Sequence, residues 1–336
     1  MKKRLCFILG FITLLLTTAC DGNSTKKGGT AQGRSTSQPY ELLVVCNKEW
    51  LKTDAAMMFK TIIDADVPCL PQREPQFRLT KIEPSAFTKS FMFYANILTA
   101  EINPKKYQKA ECGVARNVYA QPQLLISLTA PDQASFDQLC NTYRERILDL
   151  FNEAELKREQ GFLQKKYSGI VEQNARKLFG CTLHAPEEIN AVKVGKDFFW
   201  ASSEGQTEQY LNVCMYSVPF TSPEQLTEEA FVLRRDSVMK QNIEGGHKGQ
   251  YMTTEKRVIQ SRNLNIDGHW AQEARGLWAM EGDAMGGPYV SLVRIDSIHN
   301  RLLITEGFVY APNKEKRNFV RRLEAALRTL NIESNE

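Results

Sequence analysis

The chain has 336 residues, with 43 lysines and arginines against 39 aspartates and glutamates. Three of the basic residues lie in residues 1–19, and residues 20–39 hold three more and one acid, so residues 40–336 carry 37 basic and 38 acidic side chains. This near-neutral body argues against nucleic-acid binding, which depends on a basic surface. About 290 residues can bury a sizeable core, as one large domain or two packed halves.

Residues 1–19 are predicted to be a cleaved signal peptide. Residues 2–4 are basic, residues 5–16 form an apolar run, and small residues then lead to Cys20. This order is typical of a secretory signal. The run is shorter than the roughly 20 residues that a membrane span needs. An N-terminal core helix or an uncleaved anchor is the alternative.

An apolar segment that ends in small residues and a cysteine resembles the lipobox of bacterial lipoproteins. That resemblance implies that the Cys20 thiol receives a diacylglycerol, that the chain is cut just before it, and that its new amino group is acylated. Thr17 stands where the lipobox favours an apolar residue, although Leu16 is adjacent. Each buried methylene contributes about 0.8 kcal/mol and two acyl chains suffice for stable attachment. We therefore expect a lipoprotein anchored through Cys20.

Residues 21–39 are rich in Gly, Ser, Thr and Gln and nearly free of apolar side chains. Such a composition cannot bury enough surface to offset chain entropy, so these residues are predicted to be a flexible tether with a reach of roughly 25 Å. No acidic cluster follows Cys20 of the kind associated with surface export in Bacteroidota. We expect the body to lie in the cell envelope, at the outer membrane and facing the periplasm.

Six cysteines remain in the body, and none of them forms a Cys-x-x-Cys motif, so a zinc site or a thioredoxin-type motif has no support. Their even number and the expected compartment permit disulfides. Two of them lie in strand-like runs, however, where a buried thiol behaves as a small hydrophobe. This favours free, buried thiols, with disulfides as the alternative. The six are Cys46, Cys69, Cys112, Cys140, Cys181 and Cys214.

The first half of the body, residues 40–160, is predicted to combine strands and helices. One helix runs from Asp54 to Ile63, and a second begins after Asp132, where apolar residues recur at intervals of three and four. The charged residues 152–160 form a solvated helical face or a hinge. The predicted strands are residues 40–45, 76–83, 91–102 and 121–130, from their β-branched runs and alternating patterns.

The second half, residues 161–332, begins with a helix that we expect to end at Gly180, a typical C-terminal cap. A further helix spans residues 222–241, with Ser222 as its N-cap and Pro223 in its first turn. A closing helix spans residues 314–330. The predicted strands are residues 208–220, 249–260, 274–281, 288–296 and 301–312.

Strands grouped between helices, without strict alternation, predict an α+β fold with antiparallel or mixed sheets and packed helices. Each closing helix follows Ala-Pro and then Asp or Asn, at residues 130–132 and 311–313. This suggests two similar halves, and coincidence is the alternative.

Residues 275–296 contain the most unusual stretch, in which a Gly-Gly-Pro corner separates two strand-like runs. A β-hairpin explains it, with glycine supplying positive φ and proline fixing the exit. The alternative is a ligand or partner surface, because aromatics, Met and Arg are enriched at interface cores. Its candidate residues are Arg275, Trp278, Met285, Gly286, Gly287 and Tyr289.

Motifs for metal, cofactor or catalytic chemistry are missing from the sequence. None of the four histidines has a second His at i+4, and the glutamates four residues after His184 and His269 lie outside the predicted helices, so no helix-borne metal pair is predicted. No phosphate loop or serine-hydrolase motif occurs. We predict no cofactor, no metal and no catalytic residue. Four acids near Trp278 offer the alternative of an envelope hydrolase or carbohydrate-processing site, which needs two carboxyls about 5–10 Å apart: Glu281, Asp283, Asp296 and Glu306.

The lipobox together with "RGLW…MGGPYVS", "EGFVYAP" and "KR…RRLEAAL" resembles an uncharacterised lipoprotein family of Bacteroidota, defined as a domain of unknown function, over nearly the whole chain. The resemblance implies envelope localisation and supplies no site residues. Our first hypothesis is a membrane-tethered module, held by its N-terminal lipid, that binds an envelope protein or glycan. The hydrolase near Trp278 is the second.

Overall fold

The five-stranded sheet of the N-terminal half (residues 33–164) begins with the apolar run after Tyr40. The computed structural model describes residues 33–203 and 209–332 of the chain; the predicted leader, Cys20 and residues 21–32 of the predicted tether lie outside them. The strands of this half are β1 (Gly33–Arg34), β2 (Glu41–Val45), β3 (Arg78–Ile82), β4 (Asn96–Ile102), β5 (Glu111–Arg116), β6 (Ala120–Gln121) and β7 (Leu124–Ala130).

The main sheet has the order β3-β2-β4-β7-β5, in which the first four strands are parallel and β5 is antiparallel to β7. β1 and β6 form a separate parallel pair. Because parallel strands need crossover connections, helices lie between them and cover the sheet. The helices are α1 (Lys48–Leu51), α2 (Met57–Ile63), α3 (Lys89–Met92) and α4 (Gln133–Leu163).

The core of this half lies between the sheet and the helices α2 and α4, where Phe59, Phe136 and Phe151 are fully buried. The helix α4 begins where the sequence predicts, since the Asp132 carboxylate accepts a hydrogen bond from the Ser135 backbone N–H. It continues without a break through residues 152–160, so the charged stretch is a helical face and the hinge interpretation is wrong.

The C-terminal half (residues 169–332) is built on a seven-stranded antiparallel sheet of order β12-β13-β14-β15-β11-β10-β9, and β8 and β16 pair separately. The strands are β8 (Cys181–Thr182), β9 (Ala191–Gly195), β10 (Phe198–Ser202), β11 (Tyr210–Pro219), β12 (Tyr251–Ile266), β13 (His269–Glu281), β14 (Gly286–Asp296), β15 (Arg301–Tyr310) and β16 (Asn331–Ile332). Its helices are α5 (Gly169–Phe179), α6 (Glu228–Asn242) and α7 (Arg317–Leu327).

Helices cover both faces of this second sheet. The helices α5 and α7 pack against the face that includes Val213, Val290 and Leu303, whereas α6 packs against the face that includes Tyr216, Tyr289 and Ile304. Such alternation follows from the two-residue period of a strand. Gly180 ends α5 with φ of 62°, as predicted. None of the described helices is long and apolar enough to cross a membrane.

The prediction of an α+β fold with antiparallel and mixed sheets is confirmed. The hypothesis of two similar halves is wrong at the level of topology, because one main sheet is mostly parallel and the other is antiparallel with two more strands. The predicted strand 91–102 is also wrong at its start, where residues 89–92 form α3. Among the strands of five or more residues, three were not predicted: β5, β9 and β10.

The two halves meet where α4 packs against α7, through Leu156, Leu163, Ala325 and Ala326. A loop of the N-terminal half, residues 64–77, also reaches the beginning of α7. There the buried Glu74 carboxylate accepts hydrogen bonds from two backbone N–H groups, at 2.8 and 3.0 Å from Lys316 N and 2.8 Å from Arg317 N. These N–H groups lack partners within a helix, so Glu74 serves as the cap of α7.

Candidate functional site

A polar cavity of about 610 Å³ lies between the two halves. The helix α4 forms one wall, and β12, β13 and α7 form the other. Its volume lies within the range of about 300–1,000 Å³ that small-molecule sites occupy. The charged side chains that line it are Glu145, Asp149, Glu153, Glu228, Arg262, Glu273, Arg275, Arg321, Glu324 and Arg328.

An ion-pair network fills the wall of this cavity that belongs to the C-terminal half. The buried Glu324 carboxylate contacts three guanidinium groups, at 2.6 Å from Arg275, 2.9 Å from Arg321 and 2.8 Å from Arg328. Glu273 contacts Arg275 at 2.7 Å and Arg328 at 3.3 Å. Arg262 adds a contact to Glu273 at 2.9 Å. Four cations thus surround two carboxylates, which leaves an excess of two positive charges.

Regular secondary structure brings these residues together. Arg321, Glu324 and Arg328 are three and four residues apart on α7, so they lie on one helix face. Glu273 and Arg275 are two residues apart on β13, so they point to the same side of the sheet. The helix α7 covers that side of the sheet, so the charged residues of α7 and β13 meet at Glu324.

The arginines keep the two buried carboxylates ionised. Burial raises the pKa of Glu324, but Arg275, Arg321 and Arg328 outweigh it and hold the pKa well below its ordinary value. Burial also raises the pKa of Glu273, and Arg275 together with Arg262 more than compensates, so that this pKa is lowered as well. Buried carboxylates paired in this way stay charged at neutral pH.

Three of the arginines keep unused hydrogen-bond donors. Arg275 is 5% exposed and Arg321 is 4% exposed, yet Arg275 Nη1 and Arg321 Nε have no hydrogen-bond acceptor. Nε of Arg328 is unpartnered too. A buried donor without an acceptor costs about 1–3 kcal/mol. A group in the cavity that carries negatively polarised oxygen atoms would supply acceptors for these donors.

The opposite wall of the cavity is acidic. Glu145, Asp149 and Glu153 lie on one face of α4 at spacings of four residues, and all three are exposed. None of them makes an ion pair with the four arginines of the network. The cavity thus presents an arginine-rich floor on the C-terminal half and a carboxylate rim on the N-terminal half.

The structure divides the surface that the sequence predicts around residues 275–289. Only Arg275 lines the cavity. Trp278 and Tyr289 lie on the other face of the sheet, under α6, where they are 3% and 1% exposed. The Trp278 indole N–H donates to the Val309 carbonyl oxygen at 3.1 Å. Met285 is half-buried against the same cluster. The prediction that these residues share one exposed surface is corrected for Trp278 and Tyr289, because they belong to the core.

The two glycines of this stretch have a different role from the one predicted. Gly286 and Gly287 lie inside β14, and the turn before it uses Gly282, whose φ is 78°. At Gly287 a Cβ atom would come within 2.0 Å of the Val309 carbonyl oxygen, and at Gly286 within 2.9 Å of the Trp278 carbonyl oxygen. Both glycines therefore allow neighbouring backbone to approach closely, and neither forms a ligand surface.

The four acids considered for a hydrolase do not converge. Glu281 and Asp283 are exposed near the first residue of β14, and Asp296 is at its last residue, about 30 Å away at the rise of a strand. Asp296 is bonded to His299 and Arg301, each at 2.8 Å. Glu306 is fully buried against Arg235 at 2.8 Å. The four acids therefore do not gather at one site, and the two buried ones, Asp296 and Glu306, already pair with cations.

Most members of the cavity were missed from the sequence. Arg321, Glu324 and Arg328 lie in the predicted closing helix, beside its predicted apolar stripe. Their i, i+3 and i+7 spacing was the signal that could have placed these three charges on one helix face. Glu273 stands two residues before Arg275, which a strand pattern places on the same side. Nothing in the sequence signals Glu74, because its partners lie 242 residues away. Among the described residues, no cluster of three or more His, Cys, Asp or Glu side chains is arranged to hold a metal ion.

Comparison with known families divides the chain in two. Residues 35–164 match the family model of a domain of unknown function, DUF8532, and residues 169–329 match that of a second domain of unknown function, DUF4837. No curated protein matches the chain. The cavity lies between the two matched segments, with α4 in the first and β12, β13 and α7 in the second.

Proposed function

We propose that the protein is a cell-envelope lipoprotein whose folded body is a membrane-tethered binding module, and that the cavity between its halves is the binding site. The observation that carries the binding proposal is the pair of buried arginines, Arg275 and Arg321, which line the cavity with unused donors. An apolar or purely structural interface does not require such donors, and their cost is recovered when a ligand supplies acceptors.

The ligand class follows from the two walls. Guanidinium groups bind carboxylate and phosphate oxygens through charge-assisted hydrogen bonds, so the floor favours an anionic group. The rim of Glu145, Asp149 and Glu153 favours a positive group on the other end of the ligand. A small zwitterion, such as a free amino acid or a dipeptide, satisfies both walls.

The placement in the envelope is supported by the leader and Cys20, as argued from the sequence. The described body contributes no membrane-spanning helix among its residues. Attachment in this proposal depends on acylation of Cys20, and the envelope partner or peptide would reach the cavity on the membrane-tethered body.

The binding proposal is tested by titration calorimetry on residues 21–336, which retain every described helix and strand. The probes are alanyl-alanine, succinate and inorganic phosphate. We expect alanyl-alanine to bind more tightly than succinate or phosphate. Arg321→Met should weaken its affinity tenfold or more, because a charge-assisted hydrogen bond contributes about 1.5–3 kcal/mol. Glu324 keeps Arg275 and Arg328 in this variant, so the fold should persist.

The matched control is Arg322→Met. Arg322 is the next residue on α7, pairs with Glu159 and Glu188, and does not line the cavity. Its loss should leave the affinity unchanged, and circular dichroism verifies that both variants are folded. Failure of all three probes to bind the wild-type body, or equal losses in the two variants, would refute the cavity as the site.

A further inference from the structure

We propose that the surface around the first described strand is a membrane-contact face that binds anionic phospholipid headgroups. This tether face is defined by Arg34, Arg116, Lys157, Phe162 and Lys165, which surround a shallow depression of about 680 Å³ between β1, the end of β5 and the end of α4. The proposal rests on the lipid anchor of the proposed function and adds the orientation in which the anchored body meets the bilayer.

Positive charge is concentrated on this face. Seven basic and two acidic side chains line the depression, a net of five positive charges, whereas residues 40–336 as a whole carry one net negative charge. Both acids are already neutralised, because Glu155 pairs with Arg158 and Glu159 pairs with Arg322. Arg321 is buried and pairs with Glu324, so four positive charges remain available to an outside anion.

Four of the basic side chains on this face are exposed. Arg34, Arg116, Lys157 and Lys165 make no ion pair with another described residue. Elsewhere on the body, exposed basic side chains such as Lys52, Lys106 and Lys109 lie within 2.9 Å of a carboxylate. Four unpaired cations around one depression form the kind of cluster that an anionic bilayer surface attracts.

An exposed aromatic residue accompanies these cations. Phe162 is 54% exposed near the end of α4, and the Arg34 guanidinium lies 5.9 Å from the centroid of its ring. A large apolar side chain beside cations is typical of surfaces that lie in the headgroup region, where the ring enters the interface and the charges meet phosphates.

The path of the chain brings this face towards the lipid. The described chain begins at Gly33, in β1, which is part of the tether face through its pairing with β6. Twelve residues, 21–32, separate Cys20 from Gly33, which makes thirteen steps along the chain. Even fully extended, they span at most about 45 Å. An acylated Cys20 thus keeps this face closer to the bilayer than surfaces on the far side of the C-terminal half.

The test uses residues 21–336, which lack the lipid, in co-sedimentation with vesicles. One set of vesicles is phosphatidylcholine alone and the other contains phosphatidylglycerol as well. We expect binding only to the second set, and a decrease with added salt. Arg34→Gln combined with Lys165→Gln should lower the partition coefficient about 30-fold, since each basic residue near an anionic surface contributes about fivefold.

The matched control removes the same charge elsewhere. Lys248 and Lys256 are exposed and do not line the depression, so Lys248→Gln with Lys256→Gln should change the partition coefficient by less than a factor of about two. Equal losses in the two double variants, or equal binding to both kinds of vesicle, would overturn the proposal. If a folded protein binds this face and the vesicles do not, the proposal is overturned as well.

This experiment is independent of acylation. If Cys20 proves unmodified in cells, the proposed lipoprotein function fails even when the body binds anionic vesicles. If Cys20 is acylated and the body ignores the vesicles, the membrane-contact face fails and the lipoprotein function stands.

Discussion

The contact between the two halves can be weakened at one residue, Glu74. This side chain is 3% exposed, and its carboxylate accepts from the backbone N–H groups of Lys316 and Arg317 at the beginning of α7. No side chain of α7 itself caps these groups. Glu74→Ala leaves two buried donors without an acceptor, at about 1–3 kcal/mol each, and removes a favourable charge at the positive end of the helix dipole. We expect a loss of about 3 kcal/mol in the free energy of unfolding.

Glu74→Gln separates charge from hydrogen bonding. The amide oxygen can still accept, so only the interaction of the charge with the helix terminus is lost, and we expect about 1 kcal/mol. The assay is urea unfolding of residues 21–336, followed by tryptophan fluorescence and circular dichroism. Because α7 carries Arg321, Glu324 and Arg328, Glu74→Ala should also weaken ligand binding in the cavity.

The matched control is Glu83→Ala. The Glu83 carboxylate likewise accepts from a backbone N–H at the beginning of a helix, that of Lys48, but the site is exposed and the helix α1 has four residues. Water replaces the lost acceptor there, so we expect a loss below about 1 kcal/mol. If Glu74→Ala destabilises the protein no more than Glu83→Ala, the assignment of Glu74 as a buried cap that joins the halves is refuted.

Three further predictions concern the second half. Arg235→Met should lower the free energy of unfolding in urea by about 3–5 kcal/mol, because it leaves the fully buried Glu306 carboxylate without its cation. The double variant Arg235→Met with Glu306→Leu should recover a large part of this loss. Losses from the two substitutions that simply add would contradict the pairing. Since the pKa of Glu324 is depressed below its ordinary value of 4.5, its contribution to stability is present above about pH 4.5 and is lost as the pH falls through the depressed pKa. Acid titration of the unfolding free energy should therefore be steeper for the wild type than for Glu324→Gln, and identical slopes would contradict the network. Gly287→Ala should lower the melting temperature markedly, as its Cβ would meet the Val309 carbonyl oxygen at 2.0 Å, whereas Gly246→Ala, where nothing lies within 4 Å, should not.

Local signals explain the parts of the fold that were predictable. Asp132 before a periodic apolar run and Gly180 after another gave correct ends for α4 and α5, because capping depends on neighbours in sequence. The strand direction in the N-terminal half was not predictable in this way. Parallel pairing, such as that of β2 with β4, joins residues more than 50 positions apart, and only the crossover helices hint at it.

The cysteines illustrate a prediction from local pattern. Cys46, directly after β2, and Cys214, in β11, are fully buried, as their strand-like surroundings indicated, and this burial raises the pKa of both thiols. All six cysteines of the described residues are free thiols in the structure, the alternative that the sequence favoured over disulfides.

The candidate site was predictable only in fragments. Proximity in sequence grouped Arg275 with Trp278, but the strand period of two sends residues at odd spacing to opposite faces, and these two side chains lie on opposite sides of the sheet. The second partner of Arg275, Glu324, comes from α7, about 50 residues later, and tertiary packing alone determines which residue of α7 meets Arg275. Residues of one element can thus be sorted by face from the sequence, whereas a site between two halves requires the structure.

Both proposals depend on a body held at the membrane by one acylated residue. The most direct test is mass spectrometry of the N-terminal peptide of the mature protein, isolated from the membranes of cells that express the full chain. We predict a peptide that begins at Cys20 and carries a thioether-linked diacylglycerol and an acylated amino group. A peptide that contains residues before Cys20, or one that begins there with a free thiol, would contradict the account.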